Sequence, residues 1–444
     1  MGTMIVAGGA VAVIALVTAV VLRRLRRPRP RPVFGAVPRE PLAAVRRDEL
    51  LAKIDETFRT GRSCVLLGRG GAGKTHLAAA FVRDDRAPVL WVVAADPANT
   101  ARAYAELARR KGLTGPDAGL AWLDGRDGAI VVFDGATDPD ALTRWLPARA
   151  RVLVTTTVPD FEILGATVPV TGFDPAEAAG FLRARSGRDA DAAGVARELG
   201  YLPLALAQAG AVIRASGRTD YLDRLPRTPP LEREPGDDHP PWVEDTTLAA
   251  LRTVAVRDGR AVVVAELLAV LAPRGVRRAL LHRAGPDPVA VDAALAGLEG
   301  ASLAEFDVSG EVVTMHRLTR HAVLGRLHAQ ERLAEALDRA FAVLDTEDTA
   351  ELADHAAALW RQFRALPSVS AGPRLGPILR LRRRSVDLLV AESAFAQARA
   401  LGREVLADHD AYLPAGHDDT ALAAESLDRA ASPPAPAQRR RVRR

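Results

Sequence analysis

Residues 63–77 read SCVLLGRGGAGKTHL: an apolar run of strand length, SCVLLG (Ser63 to Gly68), enters a glycine turn, and Gly68 to Thr75, GRGGAGKT, has the spacing G-x-x-x-x-G-K-[ST]. Strand, glycine loop and helix follow in the order a phosphate cradle needs. Gly68, Gly70, Gly71 and Gly73 let successive backbone N–H groups turn inward around phosphate oxygens. Lys74 neutralises the β and γ phosphates, the Thr75 hydroxyl takes a place on Mg²⁺, and the following helix adds the positive end of its dipole. Lysine occurs only at Lys53, Lys74 and Lys111 in 444 residues, so composition gives a chance match on the order of a few in a thousand.

Upstream, RRDELLAKIDETF (Arg46 to Phe58) places Leu50, Leu51, Ile54 and Phe58 on one helical face. Downstream, VLWVVAA (Val89 to Ala95), AIVVFD (Ala129 to Asp134) and RVLVTTT (Arg151 to Thr157) are further apolar runs separated by helical stretches such as Thr100 to Lys111. This alternation predicts an α/β P-loop NTPase domain, residues 33–170, with a parallel sheet covered by helices on both faces. Asp134 ends its strand, and a parallel strand adjacent to the one entering the loop would bring it to the Mg²⁺ shell; a helix N-cap or turn is its other reading. Asp174 to Ser216 is helical throughout, giving an all-α domain at 171–226. The segment Arg227 to Pro241, with five Pro and four acids, reads as a linker (227–243). From 244 to 327 come helices, the apolar VVVAELLAVLA, and SLAEFDVSGEVVTMH, two short strands about a Ser-Gly turn: a winged-helix pattern. Residues 328–430 are helical and Ala-rich, and 431–444 end in SPPAPAQRRRVRR, a disordered, basic pattern.

The formal charge is +5, but six Arg lie between Arg23 and Arg31 and five between Arg439 and Arg444, leaving the body six charges negative. That balance argues against a protein coating phosphate backbones. Cys64 is the only cysteine, which excludes an intrachain disulfide and a multi-cysteine metal site. From Met4 to Leu22 run 19 uncharged residues followed by RRLRRPRPR, with no Lys or Arg before them. The pattern predicts one transmembrane helix in residues 1–32, N-terminus out and body in the cytoplasm. Pro28 to Pro38, with four Pro, reads as a stiff spacer off the membrane.

Several motifs in this order resemble the NB-ARC type of signal-transducing ATPases with numerous domains, the STAND class, from about Pro38 to Leu327. VRRDEL (Val45 to Leu50) is similar to the motif ahead of the phosphate loop, and the resemblance implies that Arg47 lies near adenine; an ordinary charged helix start is the alternative. GYLPLAL (Gly200 to Leu206) resembles the GLPL motif, which implies that Pro203 packs on the adenine ring, against the alternative of a proline kink in a buried helix. MHR (Met315 to Arg317) resembles the MHD motif, which implies that His316 reaches the ADP β-phosphate and holds the domains closed. Ala396 to Ala430 resembles part of a tetratricopeptide array, or a plain Ala-rich helix pair.

Where the family has a second acid or Asn after Asp134 this chain has Gly135, Thr157 stands where an Arg often follows TT, and Arg317 replaces the Asp of MHD. The resemblance implies a membrane-anchored ATP/ADP switch with Mg²⁺, slow or absent hydrolysis, nucleotide-controlled opening and homo-oligomerisation, and an unknown protein partner. The other readings are an ATP-dependent winged-helix DNA-binding regulator and a nucleotide-stabilised scaffold without turnover. Ala290 to Leu303 carries no Lys or Arg, which makes nucleic acid the weaker partner.

Overall fold

The run Cys64–Leu66 is buried on both faces, as a central parallel strand must be, and five more strands take the same direction beside it. The computed structural model describes residues 32–188, 191–217 and 242–431. The apolar run 4–22, its basic flank to Arg31, the linker 227–241 and the tail from Ser432 lie outside them. Strands β1 (Val33–Phe34), β2 (Ser63–Leu67), β3 (Val89–Val93), β4 (Ile130–Ala136), β5 (Arg151–Thr156) and β6 (Ala166–Pro169) form one sheet in the order β1-β3-β4-β5-β2-β6. Every pairing in it is parallel.

Side chains alternate between the two faces. Leu66, Trp91, Val132 and Leu153 pack under α1 (Asp48–Thr60) and α2 (Lys74–Asp84). Val65, Val92, Phe133 and Val154 pack under α3 (Pro97–Arg110), α4 (Pro116–Asp124) and α5 (Pro139–Thr143). Each fully buried Val or Leu contributes about 1.5–3 kcal/mol, so both faces hold the sheet. The first core continues into α6 (Pro175–Ser186), α7 (Ala192–Glu198) and α8 (Pro203–Ser216) through Phe181, Leu182, Val195 and Leu206.

A second large core begins in α9 (Trp242–Arg257) and α10 (Arg260–Val270). It includes the antiparallel sheet β7 (Val276–Arg277), β8 (Glu305–Phe306) and β9 (Val312–Thr314), in the order β7-β9-β8, with α11 (Arg278–Leu281) and α12 (Pro288–Gly300). Helices α13 (Arg317–Ala329), α14 (Leu333–Leu344), α15 (Leu352–Arg364) and α16 (Ser368–Ala391) share that core through Leu327, Leu337, Leu359 and Leu379. Helices α17 (Phe395–Tyr412) and α18 (Asp418–Ala431) pack against each other beside α16, where Gly402 admits Leu427. Among the described residues no helix is long and apolar enough to cross a membrane.

One expectation needs correction here. Residues 32–38 of the proline-rich stretch are not a spacer: Val33 and Phe34 add β1 to the sheet edge against Val89 and Leu90, and Pro38 pairs with Asp307 beyond β8. Pro38 loses nothing by pairing there, because at an edge its missing N–H is not asked for.

Candidate functional site: a phosphate loop at a three-way junction

Gly68–Thr75 links β2 to α2 at the C-terminal ends of the strands, where open α/β sheets receive ligands. The backbone is left-handed at Gly71 (φ +77°) and Gly73 (φ +92°). A Cβ on Gly68 would stand 2.0 Å from the Val170 carbonyl oxygen, so this close approach requires glycine. Lys74, buried at 8% exposure, donates from Nζ to the carbonyls of Gly68 at 2.6 Å and Arg69 at 2.8 Å. Burial lowers its pKa to about 8, with Asp134 pulling it up and Arg317 pushing it further down. A buried ammonium held by neutral carbonyls is stabilised by an arriving anion.

Asp134 reaches this loop by a different route from the adjacent strand expected of it. Strand β5 is inserted between β2 and β4, so Asp134 sits near the C-terminal end of a strand two places away. The inserted strand bridges the gap: Asp134 Oδ1 accepts from Thr155 Oγ1 at 2.7 Å and from Thr75 Oγ1 at 2.8 Å. Burial raises the Asp134 pKa, and the two hydroxyl bonds pull against that rise. Thr155 also accepts from the Gly135 N–H at 2.8 Å. Position 135 is left-handed (φ +70°) at a register shift of β4, a conformation glycine takes without strain. Asp138 N-caps α5, accepting from the Ala141 N–H at 3.1 Å. The Thr75 hydroxyl and Asp134 carboxylate are hard oxygen donors in contact with one another, a set that fits Mg²⁺, and the glycine loop with Lys74 fits phosphate.

Two further elements close on the same loop. Leu202 and Leu204 lie against Gly71, Pro203 against Gly73, and the Leu204 N–H donates to the Gly71 carbonyl at 3.2 Å. Pro203 is the first residue of α8, where its missing N–H costs nothing. Arg47, at the start of α1, donates to the carbonyls of Ala72 (3.4 Å), Thr171 (2.9 Å) and Gly172 (3.1 Å), and its guanidinium lies 5.7 Å from the Phe173 ring centre. It thereby ties the loop to the chain entering α6.

From α13, Leu318 meets Gly70. His316 caps α13, its Nδ1 accepting from the Leu318 N–H at 3.2 Å, which leaves the ring proton on Nε2. Burial lowers the His316 pKa to about 4, with Glu305 opposing and Lys74, Arg317 and His76 adding to the fall. It is neutral at pH 7 and lies in the field of Lys74. Glu305 of β8 stands 3.4 Å from His76, the residue after Thr75. Farther out, the buried Gln208 of α8 accepts from Thr247 and donates to Thr319 and to the Ser302 carbonyl.

The structure thus gathers Gly68, Gly70, Gly71, Gly73, Lys74, Thr75, Asp134, Pro203 and His316 around one loop, and sets Arg47 behind it. Sequence reading did not single out Thr155, His76, Glu305 or Leu318. The TT ending of RVLVTTT was the one available signal, for Thr155.

No protein-family model matches the chain, and no curated protein matches it. Among solved structures it is similar to a STAND protein with a tetratricopeptide repeat sensor from Pyrococcus horikoshii, at 14% identity and TM-score 0.51 over 89% of this chain. The chain spans 64% of the length of that protein. A Walker-type ATPase of Pyrococcus abyssi matches 65% of this chain and 98% of its own at 14% identity, with a TM-score of 0.36, below what a shared fold requires. The parallel sheet with its phosphate loop is a P-loop α/β fold, and with the helical layers that close on that loop the chain shares the fold of that STAND protein.

Proposed function

We propose that the chain is an ATP/ADP-binding signal-transduction switch of the STAND type, with nucleotide held where the sheet, α6–α8 and the winged helix meet. One observation carries this reading: Leu202–Leu204 of the helical layer and Leu318 of α13 both pack on the glycines of a single phosphate loop, at Gly71 and Gly73 and at Gly70. A change in phosphate charge at Lys74 therefore has a direct route to both neighbours. Lys74 and the loop N–H groups would hold the phosphates, and Thr75 and Asp134 would hold Mg²⁺. When bound, the metal neutralises charge shared between phosphate oxygens. His316, neutral and with Nε2–H free to donate by tautomer, suits a phosphate oxygen better than a cation that would compete with Lys74.

Hydrolysis is slow or absent in this proposal, because Gly135 and Thr157 offer neither a base for the attacking water nor a cation for the γ-phosphate. Exchange of ADP for ATP opens the junction and frees surfaces for homo-oligomer assembly. Residues 4–22 tether the body to the cytoplasmic membrane, and the α17–α18 pair stands where a sensor would begin. The DNA-binding alternative loses support from α12, which carries no Lys or Arg and whose Gly300 carbonyl accepts from Arg185 and Arg214. Purification of the full chain in detergent, followed by release and identification of bound nucleotide, tests the proposal. Near-stoichiometric ADP or ATP supports it, and a folded protein that binds neither sinks it.

A further inference from the structure

Between Pro32 and Leu42 the chain touches the sheet, the winged helix and α6 in turn. The Val89 N–H donates to the Pro32 carbonyl at 3.1 Å as β1 joins the sheet. Val37 is 1% exposed, and the Pro38 carbonyl accepts from Arg83 of α2 at 2.9 Å. The Val308 N–H then donates to Val37 at 2.9 Å, and the Arg39 N–H to Phe306 at 3.0 Å. These bonds flank the antiparallel pair Pro38 and Asp307. Arg39 Nε donates to the Asp307 carbonyl at 2.7 Å, and its guanidinium sits 5.0 Å over Phe306. The Leu42 carbonyl accepts from Arg185 at 3.5 Å.

Strand β8 is the edge of its sheet, and an unpaired edge is a template for another strand. Residues 37–39 take that place in cis. Three consecutive residues then divide the work: Glu305 faces His76, next to Thr75, while Phe306 and Asp307 hold residues 37–39.

We propose that residues 37–39 are a strap captured by the winged-helix edge, which couples the position of the N-terminal segment to nucleotide retention. The inference rests on the switch reading above. The winged helix cannot swing Glu305 and Leu318 off the phosphate loop without stripping the strap from β8. By reciprocity, anything that draws the strap away loosens the hold on nucleotide. β1 lies between the strap and the basic flank that ends at Arg31, so a pull or a partner at that end reaches the strap, and through it the site, by first drawing β1 from the sheet edge beside β3.

The test uses the full chain in detergent and a fluorescent ADP chased with excess unlabelled ADP. Arg39→Ala removes the Nε bond and the ring contact on a half-exposed surface, and speeds ADP release about fivefold. Arg39→Lys, which keeps a cation over Phe306, falls between. In wild type, hydrogen exchange at the amides of Arg39 and Val308 is slow with ADP, and rises at both together with Mg²⁺ and a non-hydrolysable ATP analogue. Equal release rates, or strap amides whose exchange ignores nucleotide, overturn the proposal. If ADP binds in a Lys74-dependent way but Arg39→Ala releases it at the wild-type rate, only the strap coupling fails. If ADP does not bind, the switch reading falls and the coupling with it.

Discussion

Arg185 supplies the sharpest prediction about closure. It is 3% exposed, and its guanidinium leaves α6 to donate across the junction to Ser302 Oγ at 2.6 Å and to the Gly300 carbonyl at 3.0 Å. Contacts to Ala207 (3.4 Å) and Leu42 (3.5 Å) are longer. Burial, with Arg214 adding to it, lowers its pKa to about 10, so at pH 7 it is a desolvated cation. Each short bond from a charged donor contributes about 1.5–3 kcal/mol, and desolvating the cation offsets part of that. We take about 2 kcal/mol as the net loss of closure in Arg185→Ala, which converts to roughly 30-fold faster ADP release if opening precedes release. Gly210→Ala should act in the same direction without removing the charge, since its Cβ would stand 2.6 Å from Arg185 Cγ. The assay is the fluorescent-ADP chase, with thermal unfolding run alongside. Folded variants whose release rates lie within twofold of wild type would refute the reasoning.

Lys74→Ala abolishes tight binding of ADP and ATP, whereas Asp134→Asn weakens Mg²⁺-dependent triphosphate binding more than ADP binding; equal affinities across wild type and both variants contradict the site. Steady-state hydrolysis stays far below the usual enzyme range of about 1 to 1,000 per second, and several turnovers per second without a partner contradict the slow switch. Asp138→Ala leaves that rate unchanged, because Asp138 is occupied as a helix cap. His355, 1% exposed, accepts from the Ala272 N–H at 3.2 Å, and burial lowers its pKa to about 3. The unfolded chain takes up a proton near pH 6.5 that the folded chain refuses, so stability is lost as pH falls, by about 2 kcal/mol at pH 5 from this group. Denaturant unfolding at pH 7.5 and pH 5 should show that loss shrinking in His355→Asn, and an identical pH dependence in wild type and variant excludes it. The tether predicts that the protein stays with membranes through a high-salt wash, and its release into the wash contradicts the tether.

The loop and the four long strands were legible because glycine spacing and continuous apolar runs are local signals. Strand order was not: nothing in AIVVFD or RVLVTTT says that β5 is inserted beside β2, and the adjacency expected of Asp134 was wrong for that reason. Short strands escaped as well, since Val33–Phe34 and Val276–Arg277 have two residues each and ATVP carries a proline. The first of these hid inside a stretch that composition marks as a spacer. Residues that join one region to another look like ordinary helix positions in sequence. Arg185 and Gln208 lie on α6 and α8 with no motif around them, and only the fold shows that their partners stand about a hundred residues downstream. Gly135 is the opposite case: the sequence exposes the departure, and the structure shows that it falls at a left-handed turn of β4.

The central claim is that nucleotide at Lys74 and Thr75 governs whether the winged helix is closed on the phosphate loop. Ile163, on the turn before β6, and Val289, on α12, are 73% and 75% exposed and accept labelled cysteines. Cys64 is buried, and burial pushes its thiol up to about 12, so it does not compete for label. The measurement is the distance distribution between labels in Ile163→Cys/Val289→Cys with ADP and with Mg²⁺ and a non-hydrolysable ATP analogue. A single narrow distance with ADP that lengthens with the triphosphate, and no such change when Lys74→Ala is added, is what the account predicts. The same distribution in both nucleotides and without any would contradict it.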